Sequence, residues 1–137
     1  MSTLLVGIDP GVNTGIAIKQ HGVKQFISIC TLTITKAMAE ILRLINEGHQ
    51  IDLYVEDARQ RKWFTGGSEK QQGAGSIKRD CGIWEGFAIE QPAIRMFLIP
   101  PRCNTTKVPA QDFMRMTGFT GRTSSHGRDA AMLIFGR

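Results

Sequence analysis

Three acids and a histidine in this chain have the types and spacing to do chemistry together. Asp9 ends the apolar run "LLVGID" and is followed at once by Pro10-Gly11, and Glu56 ends a second apolar run, "IDLYVE". His126 and Asp129 stand three residues apart in "SSHGRDAAML", a spacing that puts both on one face of a helix. Each has an ordinary reading when taken alone. Asp9 before Pro-Gly suits a turn, His126 suits a first-turn residue donating to backbone, and Asp129 suits a partner for Arg128 or Arg122. Taken together they suggest a different chemistry, because clustered carboxylates repel unless a cation neutralises them. Oxygen-rich ligation favours Mg²⁺ or Mn²⁺, and two such ions can activate a water and stabilise the leaving oxygen of a phosphodiester. On that reading Asp9 closes its strand because a metal needs an oxygen ligand held on rigid backbone.

The elements that must carry these residues follow from periodicity. "LLVGID" and "TGIAIK" read as two strands joined by a turn containing Pro10, Gly11 and Asn13, and "VKQFISICTLTI" reads as a third. A three-stranded antiparallel meander results. From an N-cap at Thr35, "KAMAEILRLINEG" puts Ala37, Ile41, Leu44 and Ile45 on one helical face and stops at Gly48. "IDLYVEDA" is then a central strand, made parallel to an earlier one by the crossover. The stretch 59–76 breaks both periodicities and reads as a long exposed loop. A helix is expected over 77–90 with two apolar faces, then a fifth strand "IRMFLIPP", a short helix in "PAQDFMRMTG", and a last helix capped by Ser124 or Ser125. Sites in α/β sheets gather at the carboxyl ends of strands, so a fourth strand parallel to the first makes Asp9 and Glu56 neighbours. Asp57 is better suited to solvent or to Arg59 than to a metal.

The 137 residues, 42% of them apolar, suffice for one domain, residues 1–137, with a real core. A net charge of +5 points to a polyanionic partner. Three cysteines without CxxC spacing, Cys30, Cys81 and Cys103, indicate neither a disulfide framework nor a zinc site. Neither a signal peptide nor an apolar run approaching a membrane span is seen, so a cytoplasmic setting is expected. In the loop, Arg59, Arg61, Lys62 and Lys70 surround Trp63 and Phe64, and Lys78 follows on the next helix. Cations meet phosphates and rings stack on bases, which makes these the candidate DNA contacts. Trp63 and Phe64 folding back onto the core is the competing reading.

"GIDPGVNTGIAI", "VEDAR" and "SSHGRDAAML", in that order, resemble the RuvC family of Holliday-junction resolvases within the ribonuclease H-like superfamily. The resemblance covers nearly the whole chain, which is shorter than the bacterial resolvases and suits a compact version such as a phage would carry. It implies an α/β fold with a mixed five-stranded sheet, three antiparallel strands then parallel ones, flanked by helices. It implies a homodimer that cuts four-way DNA junctions by symmetric nicks with two Mg²⁺ or Mn²⁺ ions per site. Asp9, Glu56 and Asp129 match the family's acidic ligands. His126 stands where the family often has a further Asp, as a ligand or a proton-handling residue. Lys107 falls in the region of a basic residue that contacts the scissile phosphate. The helix over 77–90 matches the family's dimer contact, with Cys81, Trp84, Phe87 and Ala88 as its candidate interface and an intramolecular core helix as the alternative.

Other classes match these residues less well. "GIDPGVNTG" also looks like the phosphate-binding turn of actin-like ATPases and sugar kinases, but those need two such domains. A YqgF-like RNA-processing nuclease lacks the "VED" strand end. A branched-DNA binder that does not cut gives no reason to keep mutually repelling carboxylates. A broader nuclease for flaps and forks would use the same residues.

Overall fold

A computed structural model describes residues 2–60, 68–101 and 107–137, without the side chains of 60, 68–74 and 77. Strands β1 (Thr3–Asp9), β2 (Thr14–Gln20) and β3 (Phe26–Leu32) lead into helix α1 (Ile34–Asn46) and strand β4 (Gln50–Glu56). A 3₁₀ turn at Ala58–Gln60 precedes helix α2 (Ser68–Ile89), strand β5 (Ile94–Ile99), α3 (Ala110–Thr117) and α4 (Ser125–Ile134). The fold is α/β, with one five-stranded mixed sheet in the order β3-β2-β1-β4-β5. β1 is antiparallel to β2 and parallel to β4, β2 is antiparallel to β3, and β5 is parallel to β4.

β1 is central because it can be buried on both faces, as its unbroken apolar run requires. Leu4, Val6 and Ile8 join Ile41, Leu53, Val55 and Trp84 in a core under α1 and α2. Leu5 turns the other way and joins Ala17, Phe113, Ala130 and Ile134 under α3 and α4. A side chain such as Leu5 or Ile8, fully buried, contributes about 1.5–3 kcal/mol. Alternation along the strand therefore sends Asp9 to the α4 side of the sheet.

Two helix boundaries differ from the sequence reading. α1 begins two residues earlier than expected, because Thr33 and not Thr35 supplies the cap: its Oγ1 accepts from the Lys36 amide. α2 begins at Ser68, so residues 68–76 are helical and not loop. Gly73 and Gly75 each cost about 1 kcal/mol in a helix interior and conceal it from a propensity reading.

The inner face of α2 also corrects an expectation. Cys81, Trp84 and Ala88, candidate dimer contacts by resemblance, are buried within the chain: Trp84 and Ala88 lie in the α1/α2 core, and the Cys81 thiol donates to the Glu56 carbonyl. Phe87 meets Trp84 edge to face and is half-buried against the same core. Cys81, Trp84 and Ala88 are consumed by the sheet because the helix must bury one apolar stripe on its own strands, whereas Phe87 keeps part of its ring exposed. Trp84 Nε1 has no hydrogen-bond partner among the described residues. Trp84→Ala is therefore expected to destabilise the fold by about 3–5 kcal/mol, while Trp84→Phe, which forfeits no hydrogen bond, costs well under half of that. Urea unfolding of both variants checks the pair.

Candidate active site

β1 and β4 run side by side with Ile8 opposite Val55, so Asp9 and Glu56 follow at neighbouring strand ends. The backbone around Glu56 is anchored twice. Its carbonyl receives the Cys81 thiol, and the next amide, of Asp57, donates to the Ile99 carbonyl at 2.8 Å.

The third element, α4, reaches Asp9 through a strip of small residues. An added Cβ on Gly15 would lie 1.9 Å from the His126 carbonyl oxygen, and one on Gly7 would lie 2.1 Å from that of Ala130. Only glycine permits this backbone approach. The helix starts cleanly because Ser124 caps it, accepting from the Gly127 amide at 3.0 Å, and Thr31 on β3 shares a hydroxyl hydrogen bond with Ser124. The outcome is a direct contact: His126 Nδ1 lies 3.0 Å from Asp9 Oδ2. With Asp9 ionised the carboxylate can only accept, so Nδ1 carries the proton and a neutral ring leaves Nε2 as a base or ligand atom.

Asp9 is only 16% exposed at its side chain. Burial pushes its pKa above the ordinary carboxylate value, opposed by the His126 hydrogen bond and assisted by the negative charge of Asp129. Asp129 is itself paired with Lys107, Nζ to Oδ2 at 3.5 Å. The lysine is brought there by a residue the sequence reading placed differently. Arg128 does not pair with Asp129; its Nε donates to the Val108 carbonyl and its Nη1 to Thr123, tying the segment before α3 to the start of α4. Nothing in a lone arginine beside an acid announces such backbone anchoring. Gly7 and Gly15 were equally missed, although a glycine inside each of two paired strands is a signal for close approach.

Arg59, expected to meet DNA, is engaged inside the protein. It holds both oxygens of the buried Asp57, at 2.8 and 3.1 Å, and both oxygens of Glu85 on α2, at 3.2 and 3.0 Å. The guanidinium holds the Glu85 carboxyl below its usual range. Asp57 is thus the partner of Arg59, as expected. Arg61, Lys62, Trp63 and Phe64 lie outside the described residues, as does the side chain of Lys70. Lys78 is exposed on α2.

The donors fit a hard divalent cation by their chemistry, because a carboxylate raised in pKa first by burial and further by a second carboxylate is the environment that a cation relieves. Here Asp9 is partnered by His126 and Asp129 by Lys107. No group of three or more His, Cys, Asp or Glu side chains among the described residues stands close enough to hold a metal ion. No protein-family model matches the chain, and no curated protein matches it in sequence. No helix among the described residues is long and apolar enough to cross a membrane.

Proposed function

We propose that the chain is a divalent-metal-dependent endodeoxyribonuclease that nicks branched DNA, chiefly four-way junctions, as a homodimer. The observation that carries this reading is the meeting of β1, β4 and α4 at one sheet end, with Asp9 touching His126 and sensing Asp129. Asp9, Glu56 and Asp129 are the residues that would hold Mg²⁺ or Mn²⁺, which when bound would supply charge stabilisation and a more acidic water, while Nε2 of His126 stays free of the metal. The remaining work falls to the chain. The unprotonated Nε2 of His126 accepts a proton from the attacking water, the water oxygen bonds to phosphorus, and a P–O ester bond breaks, its leaving oxygen taking a proton from solvent. Lys107, mostly exposed, exchanges Asp129 for a phosphate oxygen as negative charge builds there.

A dimer would place two such sites about a twofold axis, matching the near-twofold symmetry of a junction. With the inner face of α2 consumed, its outer face offers Ile83 and Ile89, both exposed, and Gly82 and Gly86 with open space around them. Ile83→Asp is expected to convert a dimer to monomer in light scattering while leaving the thermal midpoint of the protomer unchanged; a variant that stays dimeric removes this face from consideration.

The deciding experiment is cleavage of a labelled four-way junction, a flap and a linear duplex with Mg²⁺, Mn²⁺ or EDTA. Metal-dependent paired nicks on the junction support the reading. Equal cutting of flaps widens the substrate to branched DNA in general, and absence of cutting on all three overturns the nuclease.

A further inference from the structure

α4 packs mainly on β1 and β2, and on the same face β4 and β5 carry a row of cations and rings that begins where Tyr54 borders the α4 core and runs out beyond it. The register pairs Asp52 with Arg95, Tyr54 with Phe97 and Glu56 with Ile99, alternate residues that point to one side. Tyr54 and Phe97 stack, with centroids 4.7 Å apart and planes within 15°. The guanidinium of Arg137 lies over Tyr54 at 4.8 Å, and that of Arg95 over Phe97 at 5.2 Å. Both arginines are held in place. Arg95 donates through Nε and Nη2 to the buried Asp52, at 3.1 and 2.9 Å, and Arg137 donates through Nε to the Leu133 carbonyl. Among the described residues Arg95 Nη1 and both Nη groups of Arg137 have no partner.

We infer that this β4–β5 face is a track for a single-stranded segment of nucleic acid, leading along the sheet to Glu56. The inference rests on the nuclease reading for its direction, since the row ends at the proposed site. The chemistry selects the occupant. Guanidinium groups already oriented by a ring, and by a carboxylate or a carbonyl, have little entropy left to lose on meeting phosphates, and their outward planar faces accept an unpaired base. A base paired in a duplex has its faces occupied, so the track suits a melted or unpaired arm. An acidic peptide could satisfy the arginines' charge but has no base to stack on the guanidinium faces.

The test is fluorescence anisotropy of labelled oligothymidylate in EDTA, with wild type, Phe97→Leu and Arg137→Ala. Phe97→Leu keeps the apolar bulk and Arg137→Ala touches only an exposed side chain, so thermal midpoints should hold. Each variant is expected to weaken binding roughly tenfold. Arg137→Ala should also flatten the logarithmic salt dependence by about 0.7, the value for one phosphate on a single strand. Unchanged affinity and salt slope in both variants overturn the track, as does equal wild-type affinity for an oligoglutamate of the same charge. Junction cleavage by the same preparations separates the two readings. Cutting with variant-insensitive oligothymidylate binding sinks the track alone, whereas variant-sensitive binding without cutting sinks the nuclease and leaves the track standing.

Discussion

Asp9→Asn is expected to abolish metal-dependent cleavage while leaving junction affinity within about twofold of wild type. The amide keeps the size of the carboxylate and one oxygen for the His126 hydrogen bond, so the contact between β1 and α4 survives. What it removes is the negative charge, and the loss in rate should exceed the roughly 10–100-fold typical of residues that only support a ligand. Single-turnover cleavage in Mg²⁺ reads the rate and anisotropy in EDTA reads the affinity. Residual cutting at a tenth of the wild-type rate would remove Asp9 from the chemistry.

The same substitution carries a stability consequence with a definite sign. The folded-state pKa of Asp9 is raised above its ordinary value of 3.8, first by burial. The folded protein therefore holds this proton more tightly than the unfolded chain, and stability from this group is lost as pH rises from below 3.8 through the raised folded value. At neutral pH, Asp9→Asn should consequently unfold at a higher temperature than wild type, and the gap should close in acid as the wild-type carboxyl takes up its proton. A variant less stable than wild type at pH 7 would mean that the His126 bond outweighs burial. An acid kept at a cost in stability is what the proposed role of Asp9 entails.

Gly15→Ala is expected to be the most damaging alanine substitution among the described glycines. Its Cβ would sit 1.9 Å from the His126 carbonyl oxygen and 2.4 Å from the carbonyl carbon, both backbone atoms of a capped helix that cannot rotate aside. Relief requires lifting α4 from β2, which separates Ala130, Ala131 and Ile134 from Leu5 and Ala17. A cost of about 3 kcal/mol or more, and a fall in midpoint on the order of 10 °C, is expected. Gly75→Ala is the control: with open space around it inside α2, it should stabilise by roughly 0.5–1 kcal/mol. Because the helix that moves carries His126 and Asp129, Gly15→Ala should also lose cleavage at temperatures where it remains folded. An unchanged midpoint would mean that α4 does not lie this close to β2.

Much of the architecture was legible in the chain because local patterns state it directly. The apolar run of β1 and its end on Asp9, the second run ending on Glu56, and the three-residue step from His126 to Asp129 are properties of short segments, and the parallel pairing of β1 with β4 follows from a crossover long enough for a helix. The extent of α2 was not legible, because Gly73 and Gly75 lower its propensity while burial of Cys81, Trp84 and Ala88 on the sheet outweighs that loss.

The sequence by itself determined which residues could do chemistry here and which strand ends and helix carry them. Tertiary structure alone decided their partners. Arg59 looks like a DNA contact until Glu85, 26 residues away, closes on it, and Arg128 looks like a partner for its neighbour until Val108 comes within reach. The contact of His126 with Asp9 spans 117 residues and depends on two glycines whose role is an absence of atoms. Periodicity records what a residue buries. It does not record the distance between two backbones, and that distance sets the geometry of the site.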